Sequence, residues 1–598
     1  MDVVETDTEI NLSTRIANPE DGLTIGHHWN LIPNNEATSH GEIMPRGLDE
    51  LTDPKYGEIA TEWGIDLDNL DSLVQSHIQY AGVDPNNPSV IFHSTSSAIT
   101  GFRGGDMDAM KNERPMFRYF DFIPGRGGGL VRDGRDDYYI ADVAQHEALE
   151  AMKEEGIEYN NIALDPEYSH YYHMNEALLV NLYEDKDEDE ASLDQIVNAV
   201  KENPEIVFRV YTMDRATSML LLRIHQLAGL QEQGKPLKVE SNSPEISRYY
   251  NRKSWMYPKA SEVKEYIDVP AGFKDESDFF NFLKEENQHS FVGRDLGFNH
   301  YERLPGYDLG RVSEYGFDTE IDTAIDRMYQ MGLDTVCIKD ATGTDGEMIY
   351  PGLSITPDNR DELYVKLEEI KRHSPNAELV MEAHVDYKQF EVYVDGVGVP
   401  LRAALSTHIM GGEPTEIITM QFIDEDNMWR GNVAFGLKDV QEHGDVLGIT
   451  EKEYHRFMKF INGFAAATAQ AGKPIIIGGF DAAVGTIRHR SLGNVEVVAA
   501  NDPNLRFFGA MPALNSYQEH QNPVAIRSLN ATANLDISLV KKVLRDIAES
   551  IYIADGVEVN LELITKTASR IMIQANGGAN PEQLIEAITR AERALALA

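Results

Sequence analysis

The chain has one cysteine, Cys337, in 598 residues. A lone thiol excludes an intramolecular disulfide and any zinc or iron–sulfur site built from several cysteines. The lack of disulfides fits a reducing compartment. Basic residues are scarce: 53 lysines and arginines stand against 99 aspartates and glutamates, a formal charge of −46. A surface of that sign repels the nucleic-acid backbone and anionic lipid, so neither is expected as a partner. Most of the excess reads as a solvated acidic face, suited to a saline cytoplasm. No apolar run approaches the roughly 18 residues of a membrane span. Met1–Gly22 is acidic and lacks a charged-then-apolar leader pattern, so a cytoplasmic location is expected.

What is present is ordinary globular material, 42% hydrophobic and 25% charged, enough for three or four domains of roughly 100–200 residues each. Residues 1–88 are polar and weakly periodic and read as an irregular N-terminal extension with short helices, for example over Leu67–Ala81. From 89 to 245 strand and helix signals alternate. The strands are Ser89–His93, Leu178–Leu182, Ile206–Tyr211 and Leu237–Ser241, and the helices Asp142–Glu155 and Ala216–Leu230. Glycine-rich stretches at Gly101–Gly105 and Gly125–Gly129 and an acidic break at Glu184–Glu190 lie between them. Such alternation predicts an α/β domain with a mostly parallel sheet. From 246 to 515 further strands are expected at Thr335–Ile338, Glu378–Glu382, Glu391–Val394, Glu416–Phe422 and Pro474–Ile477. The segment 516–598 reads as helical, with Asp536 as one N-cap and Asn580-Pro581 opening a final helix. There is no internal repeat.

The residues with the most chemical content lie late in the chain. Asp502, Asn504 and Arg506 are spaced by two, and on an extended chain such residues project from one face. A carboxylate, an amide oxygen and a guanidinium would then converge. Oxygen ligands suit Mg²⁺, which is held by one or two carboxylates plus nucleotide phosphates, and the arginine could clamp a phosphoryl or carboxylate oxygen. The same residues also suit an ordinary Asp-Pro-Asn turn. Upstream, Asp481 sits in an apolar strand, where a carboxylate is either paired or holding a cation. Two carboxylates on neighbouring strands would suit a two-metal nucleotide site. Lys339 ends a strand before the Thr/Gly-rich stretch 341–346, an arrangement that binds phosphate, although no GxxxxGK[ST] pattern surrounds it. Cys337 shares the face of Lys339 and reads as a small buried hydrophobe.

Taken in order, these segments resemble the ATP-grasp superfamily of carboxylate–amine ligases and related carboxylases over about 246–515, and the α/β segment before them resembles a pre-ATP-grasp domain. The resemblance implies a Rossmann-like domain over 89–245, an ATP-grasp fold of two α+β halves clasping ATP over 246–515, and a helical domain over 516–598. Asn251-Arg-Lys253, followed by Asp268–Gly272, matches the opening element, making Lys253 and Lys339 the two phosphate lysines. Ala377–Val385 looks like the hinge strand, with Glu382 facing the adenine amino group and neighbouring backbone, Val385 included, pairing with the ring. Glu391 matches the ribose-binding glutamate. Gly478-Gly-Phe-Asp481 and Asp502–Arg506 match the metal strands, implying Asp481, Asp502 and Asn504 as metal ligands and Arg506 and Lys339 as catalytic residues. The chain departs from the family in three ways: Asp502 stands where glutamate is usual, Thr486–Asn494 reads as an insertion separating the metal strands, and the glycine loop is sparse.

The implied activity is ATP-dependent carboxylate–amine ligation through an acylphosphate, releasing ADP and phosphate. ATP and Mg²⁺ are the implied cofactors, with Mn²⁺ as an alternative. The substrates would be a small carboxylate and an amine such as an amino acid or short peptide, and a homodimer is left open. Two alternatives stay open beside it: a biotin-carboxylase-like enzyme acting on bicarbonate, and a degenerate nucleotide-binding protein that serves as a binding partner.

Overall fold

The computed structural model of the protein describes residues 52–84, 86–94, 125–132, 135–141, 153, 159–163, 173–184, 193–264, 268–287, 303–341, 349–394, 396–402, 404–423, 429–530, 535–566, 570–578 and 580–597. Expectations over residues 1–51, Gly101–Gly105, most of Asp142–Glu155, the acidic break beyond Glu184 and the Thr/Gly stretch 342–346 fall outside them.

The first sheet is parallel throughout. Its strands are β1 (Ile78–Tyr80), β2 (Ser89–Phe92), β3 (Tyr138–Ala141), β4 (Asn160–Ala163), β5 (Val207–Val210) and β6 (Leu237–Glu240), in the order β1-β6-β5-β2-β3-β4. β2 and β5 are buried along their whole length, as strands covered on both faces must be. One covering helix, Arg215–Leu227, is capped by Asp214, which accepts from the Thr217 N–H.

Two expectations are corrected here. Leu178–Leu182 is part of the helix Met174–Glu184, not a strand. This helix is buried at every position from Met174 to Asn181, so it shows no polar face, and a short apolar run of that kind does not reveal its period. Residues 53–80 are not an irregular extension. The helix Asp53–Trp63 places Tyr56, Ile59, Ala60 and Trp63 in the core of the parallel domain, a short helix follows at Leu70–His77, and β1 pairs with β6.

The middle of the chain forms a four-stranded antiparallel sheet of β7 (Gly306–Arg311), β8 (Thr335–Asp340), β9 (Ile349–Ser354) and β10 (Glu378–Ala383), ordered β7-β10-β8-β9. The helices Phe317–Gln330 and Asp361–His373 pack on it through Ile321, Ile325, Met328, Leu363 and Leu367. β11 (Val385–Tyr387) follows, then a separate two-stranded ribbon of β12 (Gln389–Val394) and β13 (Val397–Arg402).

The remaining strands are β14 (Ala404–Met410), β15 (Glu413–Pro414), β16 (Ile418–Ile423), β17 (Trp429–Phe435), β18 (Ile477–His489), β19 (Gly493–Asn504), β20 (Val524–Asn530), β21 (Val559–Lys566) and β22 (Arg570–Gly577). With β11 they form a ten-stranded antiparallel sheet. Its core is aromatic: Phe480 of β18 lies edge-on to Phe464 at 4.7 Å and to Phe460 at 5.1 Å, both from the helix Glu451–Gln470.

The fold class is therefore the expected one: a parallel α/β sheet followed by two antiparallel halves. Two details differ. Thr486–Asn494 is not an insertion between the strands of Asp481 and Asp502, because it forms the tip of one continuous hairpin of β18 and β19, paired from Gly479↔Asn504 to His489↔Gly493. The segment 516–598 has the long helices Ile537–Asp555 and Pro581–Leu597, but it also contributes β20, β21 and β22, which extend the large sheet from β17. The alternation of buried and more exposed residues at the start of Val559–Lys566 is the period-two signal of a half-buried strand.

Asp308 on β7 accepts from the Gly310 N–H at 2.9 Å. Its carboxyl is pushed up from 3.8 to about 7, chiefly by burial, against the opposing pull of that N–H and of Lys259. Between those two pH values the unfolded chain gives up this proton while the folded chain keeps it, so stability falls as pH rises through the window. We expect Asp308→Asn, which keeps the acceptor and carries no charge, to melt a few degrees higher than wild type at pH 8 and at the same temperature at pH 4. Thermal unfolding at the two pH values checks this.

Candidate functional site

The site lies where the four-stranded sheet meets the β18–β19 hairpin. Asp481 on β18 and Asp502 on β19 are register partners, with a bulge just beyond them between Asp481 and Ala482. The expected one-face spacing is present: Asn501, Pro503 and Leu505 are buried, while Asp502, Asn504 and Arg506 between them are only partly covered. The Asp-Pro-Asn segment is thus strand, not turn. Proline fits here because, among the described residues, β18 is the one strand laddered to β19, whose other side carries a single bridge from Ala500 to Arg303 and no partner at Pro503 that needs the missing N–H.

Two glycines bring these strands together. A Cβ on Gly479 would lie 1.7 Å from the Thr407 carbonyl oxygen on β14, and one on Gly478, at φ +135°, would lie 2.5 Å from the Asn504 carbonyl oxygen. Gly-Gly two residues before Asp481 therefore lets β18 sit tightly between β14 and β19.

Asp481 is held by its neighbours. Ser406 Oγ donates to its Oδ1 at 2.5 Å and Asn504 Nδ2 to its Oδ2 at 2.8 Å, while Gln421 Nε2 supports Ser406 at 3.1 Å. Burial first, and the charge of Asp502 second, push its carboxyl up to about 6. Two adjacent carboxylates, one of them reluctant to ionise, form a donor set that a divalent cation would relieve. Among the described residues no group of three or more His, Cys, Asp or Glu side chains could hold a metal. Two carboxylates and an amide oxygen therefore fit Mg²⁺ only as a partial cage that nucleotide phosphates complete.

Both expected lysines are buried at the same place. Lys253 reaches Asp502 at 3.2 Å, and its backbone N–H is bonded to the carbonyl of Ala341, two residues beyond Lys339. Lys339 pairs with Glu382 at 2.5 Å and also reaches the Asn501 carbonyl at 3.4 Å. Burial is the largest single influence and would lower its pKa, but the Glu382 carboxylate together with Cys337, Tyr387 and Asp502 raises it on balance, so Lys339 is a fixed cation. Glu382 does not stand free toward a ligand: its other oxygen accepts from Tyr257 Oη at 2.7 Å. Val385 is buried on β11 opposite Ile487. Glu391 lies on the separate ribbon opposite Pro400. Cys337 is buried as expected, its thiol pushed up to about 12 by burial.

Arg506 extends the row. It donates to Asn251 Oδ1 at 2.8 Å and to Tyr211 Oη at 3.3 Å, and Asn251 Oδ1 also accepts from the Leu505 N–H. Asn242, just past β6, bonds the Ile477 and Leu505 carbonyls through its amide nitrogen and accepts from the Ile476 and Ile477 N–H groups. The carboxyl ends of the parallel strands are thereby joined to the hairpin. Asn242, Asn251, Tyr211, Tyr257 and Ser406 were not singled out from the sequence as functional. Each acts through long-range contact, and only Asn251, adjoining the Lys253 element, had any local signal.

No protein-family model and no curated protein matches this chain. Solved structures similar to it include the biotin carboxylase domain of Hydrogenobacter thermophilus 2-oxoglutarate carboxylase in complex with MgADP, ADP and bicarbonate, at 10% identity over 83% of this chain and 86% of that one, TM-score 0.38. Another is biotin carboxylase from Campylobacter jejuni, at 9% identity over 86% and 94%, TM-score 0.38. A third is phosphoribosylamine–glycine ligase from Thermotoga maritima, at 9% identity over 79% and 94%, TM-score 0.33. At similarity of this extent, the side chains of this protein have to carry the functional conclusion by themselves.

The glycine geometry yields a direct test. Gly479→Ala should lower the melting temperature sharply, because the added methyl meets backbone on β14. Gly57→Ala, in the helix Asp53–Trp63 with open space around it, should stabilise by about 0.5–1 kcal/mol. Thermal unfolding of the two variants side by side checks both.

Proposed function

We propose that the protein is an ATP-dependent, Mg²⁺-assisted ligase of the ATP-grasp type that joins a small carboxylate to an amine and releases ADP and phosphate. One observation carries this: Lys253, Lys339, the Asp481/Asp502 pair, Asn504 and Arg506 come from three separate parts of the chain and meet in one place. Alternating acid and base of this kind suits a nucleoside triphosphate with its cation, since phosphoryl transfer asks for positioning and charge neutralisation more than covalent work.

In the proposed reaction a substrate carboxylate oxygen attacks the γ-phosphorus and the bond to the β-bridging oxygen breaks, so ADP leaves with that electron pair. The amine nitrogen then attacks the acylphosphate carbon, phosphate departs, and the nitrogen loses a proton to solvent. Lys253 and Lys339 neutralise phosphate oxygens, and Arg506, braced by Asn251 and Tyr211, stabilises the oxygens of the acylphosphate. A bound Mg²⁺ would supply charge neutralisation between the phosphates and the carboxylates of Asp481 and Asp502. Glu382 serves as a positioning residue for Lys339, and a cytoplasmic setting with its ATP pool suits the chemistry.

The buried Lys339–Glu382 pair dictates how the site is tested. Lys339→Ala would leave Glu382 buried and unpaired, a loss of about 3–5 kcal/mol. Removing both charges with Lys339→Met/Glu382→Gln avoids that loss. We expect this double variant and Asp502→Ala to fold and to lose ATP turnover. The assay is ADP release across amino acids, small carboxylates and bicarbonate, with products identified by mass. Near-wild-type turnover in either variant at saturating Mg²⁺-ATP would remove its residues from the mechanism. Turnover with bicarbonate and no amine would replace ligation by a carboxylase reaction.

A further inference from the structure

We propose that His489 and Arg490, at the tip of the β18–β19 hairpin, are positioning residues: they latch the hairpin to the four-stranded half and so fix, from its far end, where Asp481 and Asp502 stand against Lys339. The latch stands on its contacts; its use in positioning rests on the ATP-dependent function proposed above.

The hairpin is a beam shared by two cores. Successive residues of a strand point to opposite faces. Ala482, Val484 and Val498 join the core of the large sheet, while Ala483, Ile487 and Val497 join that of the four-stranded sheet. At the site end the hairpin is held by Lys253 to Asp502 at 3.2 Å, Lys339 to the Asn501 carbonyl at 3.4 Å, and the Leu304 N–H to the Ala500 carbonyl at 3.3 Å. Two of these three ties are made by the lysines that a polyphosphate would draw to itself.

The tip lies about 26 Å from Asp481 along an extended strand, and its contacts are ones that a ligand of the site does not compete for. The Arg490 N–H donates to the Gly332 carbonyl at 2.8 Å, and Leu333 forms an antiparallel bridge with His489. The Arg490 guanidinium lies over the Tyr329 ring at 3.6 Å, donates to the Tyr329 carbonyl, and has the Asp334 carboxylate at 3.5 Å. Gly332, at φ +92°, stands just past the helix Phe317–Gln330; a Cβ there would lie 2.5 Å from the His489 ring, so glycine is what admits the ring. The ring also meets Phe279 at 5.1 Å and Phe273 at 5.7 Å, edge to face. Its Nδ1 accepts from the N–H groups of Ser491 and Leu492, both at 3.2 Å, which shapes the turn. Burial lowers the pKa of the imidazole, and a neutral ring keeps that acceptor.

Leu333 and Asp334 lead directly into β8, which carries Lys339. β8 and the hairpin are therefore tied at both ends, by His489 and Arg490 at the tip and by Lys339 at the site. When phosphates take over the lysines, the tip tie remains and holds the carboxylates in register.

The test uses the full chain and the variants Arg490→Met, Arg490→Lys and His489→Phe. Amide hydrogen exchange of the free protein is followed by mass spectrometry, and ADP release is assayed on the same samples. In Arg490→Met, exchange should quicken severalfold at the tip (329–334 and 488–494) and also at the site end (499–504), while β5 in the parallel domain keeps its wild-type rate. Its kcat for ADP release should fall about tenfold or more, as misplaced reacting groups require, with the KM for ATP little changed. Arg490→Lys should restore part of both. His489→Phe, which keeps a ring against Gly332 but accepts no hydrogen bond, should act in the same direction and serves if Arg490→Met does not fold. Faster exchange confined to the tip, or a kcat in Arg490→Met equal to that of wild type, overturns the proposal. A wild-type protein that never releases ADP removes the ligase function instead, and exchange at 499–504 then decides the latch alone.

Discussion

Asp481 and Asp502 face one another across adjacent strands, and the surrounding structure is arranged to tolerate that opposition. Ser406 and Asn504 donate to one carboxylate and Lys253 pairs with the other. Glycines at 478 and 479 let the strands approach closely enough for this to happen. Like charges at such range strain the free protein, and a cation bridging them and a polyphosphate would release the strain. Under the proposed function, the arrangement would take a nucleotide–metal complex in preference to either component alone.

Around this pair the three sheets have distinct tasks. The four-stranded sheet supplies Lys339, locked by Glu382 and Tyr257 into one position and one charge state. The large antiparallel sheet supplies the carboxylates on a stiff hairpin backed by Phe464 and Phe480. The parallel sheet contributes its carboxyl edge, which Asn242 and Asn251 attach to that hairpin by side-chain bonds to backbone. Precise placement of a reacting oxygen depends on such supports as much as on the charged groups.

Much of this was legible in the sequence where the signal was local. The i, i+2, i+4 spacing of Asp502, Asn504 and Arg506 gave their common face, and Lys339 was recognisable as a strand-end lysine. What escaped was non-local. Leu178–Leu182 looked like a strand because a helix buried on all sides has no polar stripe to reveal its period. Thr486–Asn494 looked like an insertion because nothing in it announces a hairpin whose strands run twelve and thirteen residues. The pairing of Lys339 with Glu382 joins residues on neighbouring antiparallel strands, and the strand register that permits it cannot be read from either segment. β20, just before the helix Ile537–Asp555, and β21 and β22, between it and the helix Pro581–Leu597, were hidden by the stronger capping signals of those two helices.

The central claim is that cation and nucleotide complete one site together. Electron paramagnetic resonance of Mn²⁺, titrated into the protein with and without a non-hydrolysable ATP analogue, tests it most directly. The account expects weak Mn²⁺ binding to the protein alone, markedly tighter binding with the analogue, and loss of that gain in Asp481→Asn. Equal Mn²⁺ affinity with and without nucleotide would contradict it.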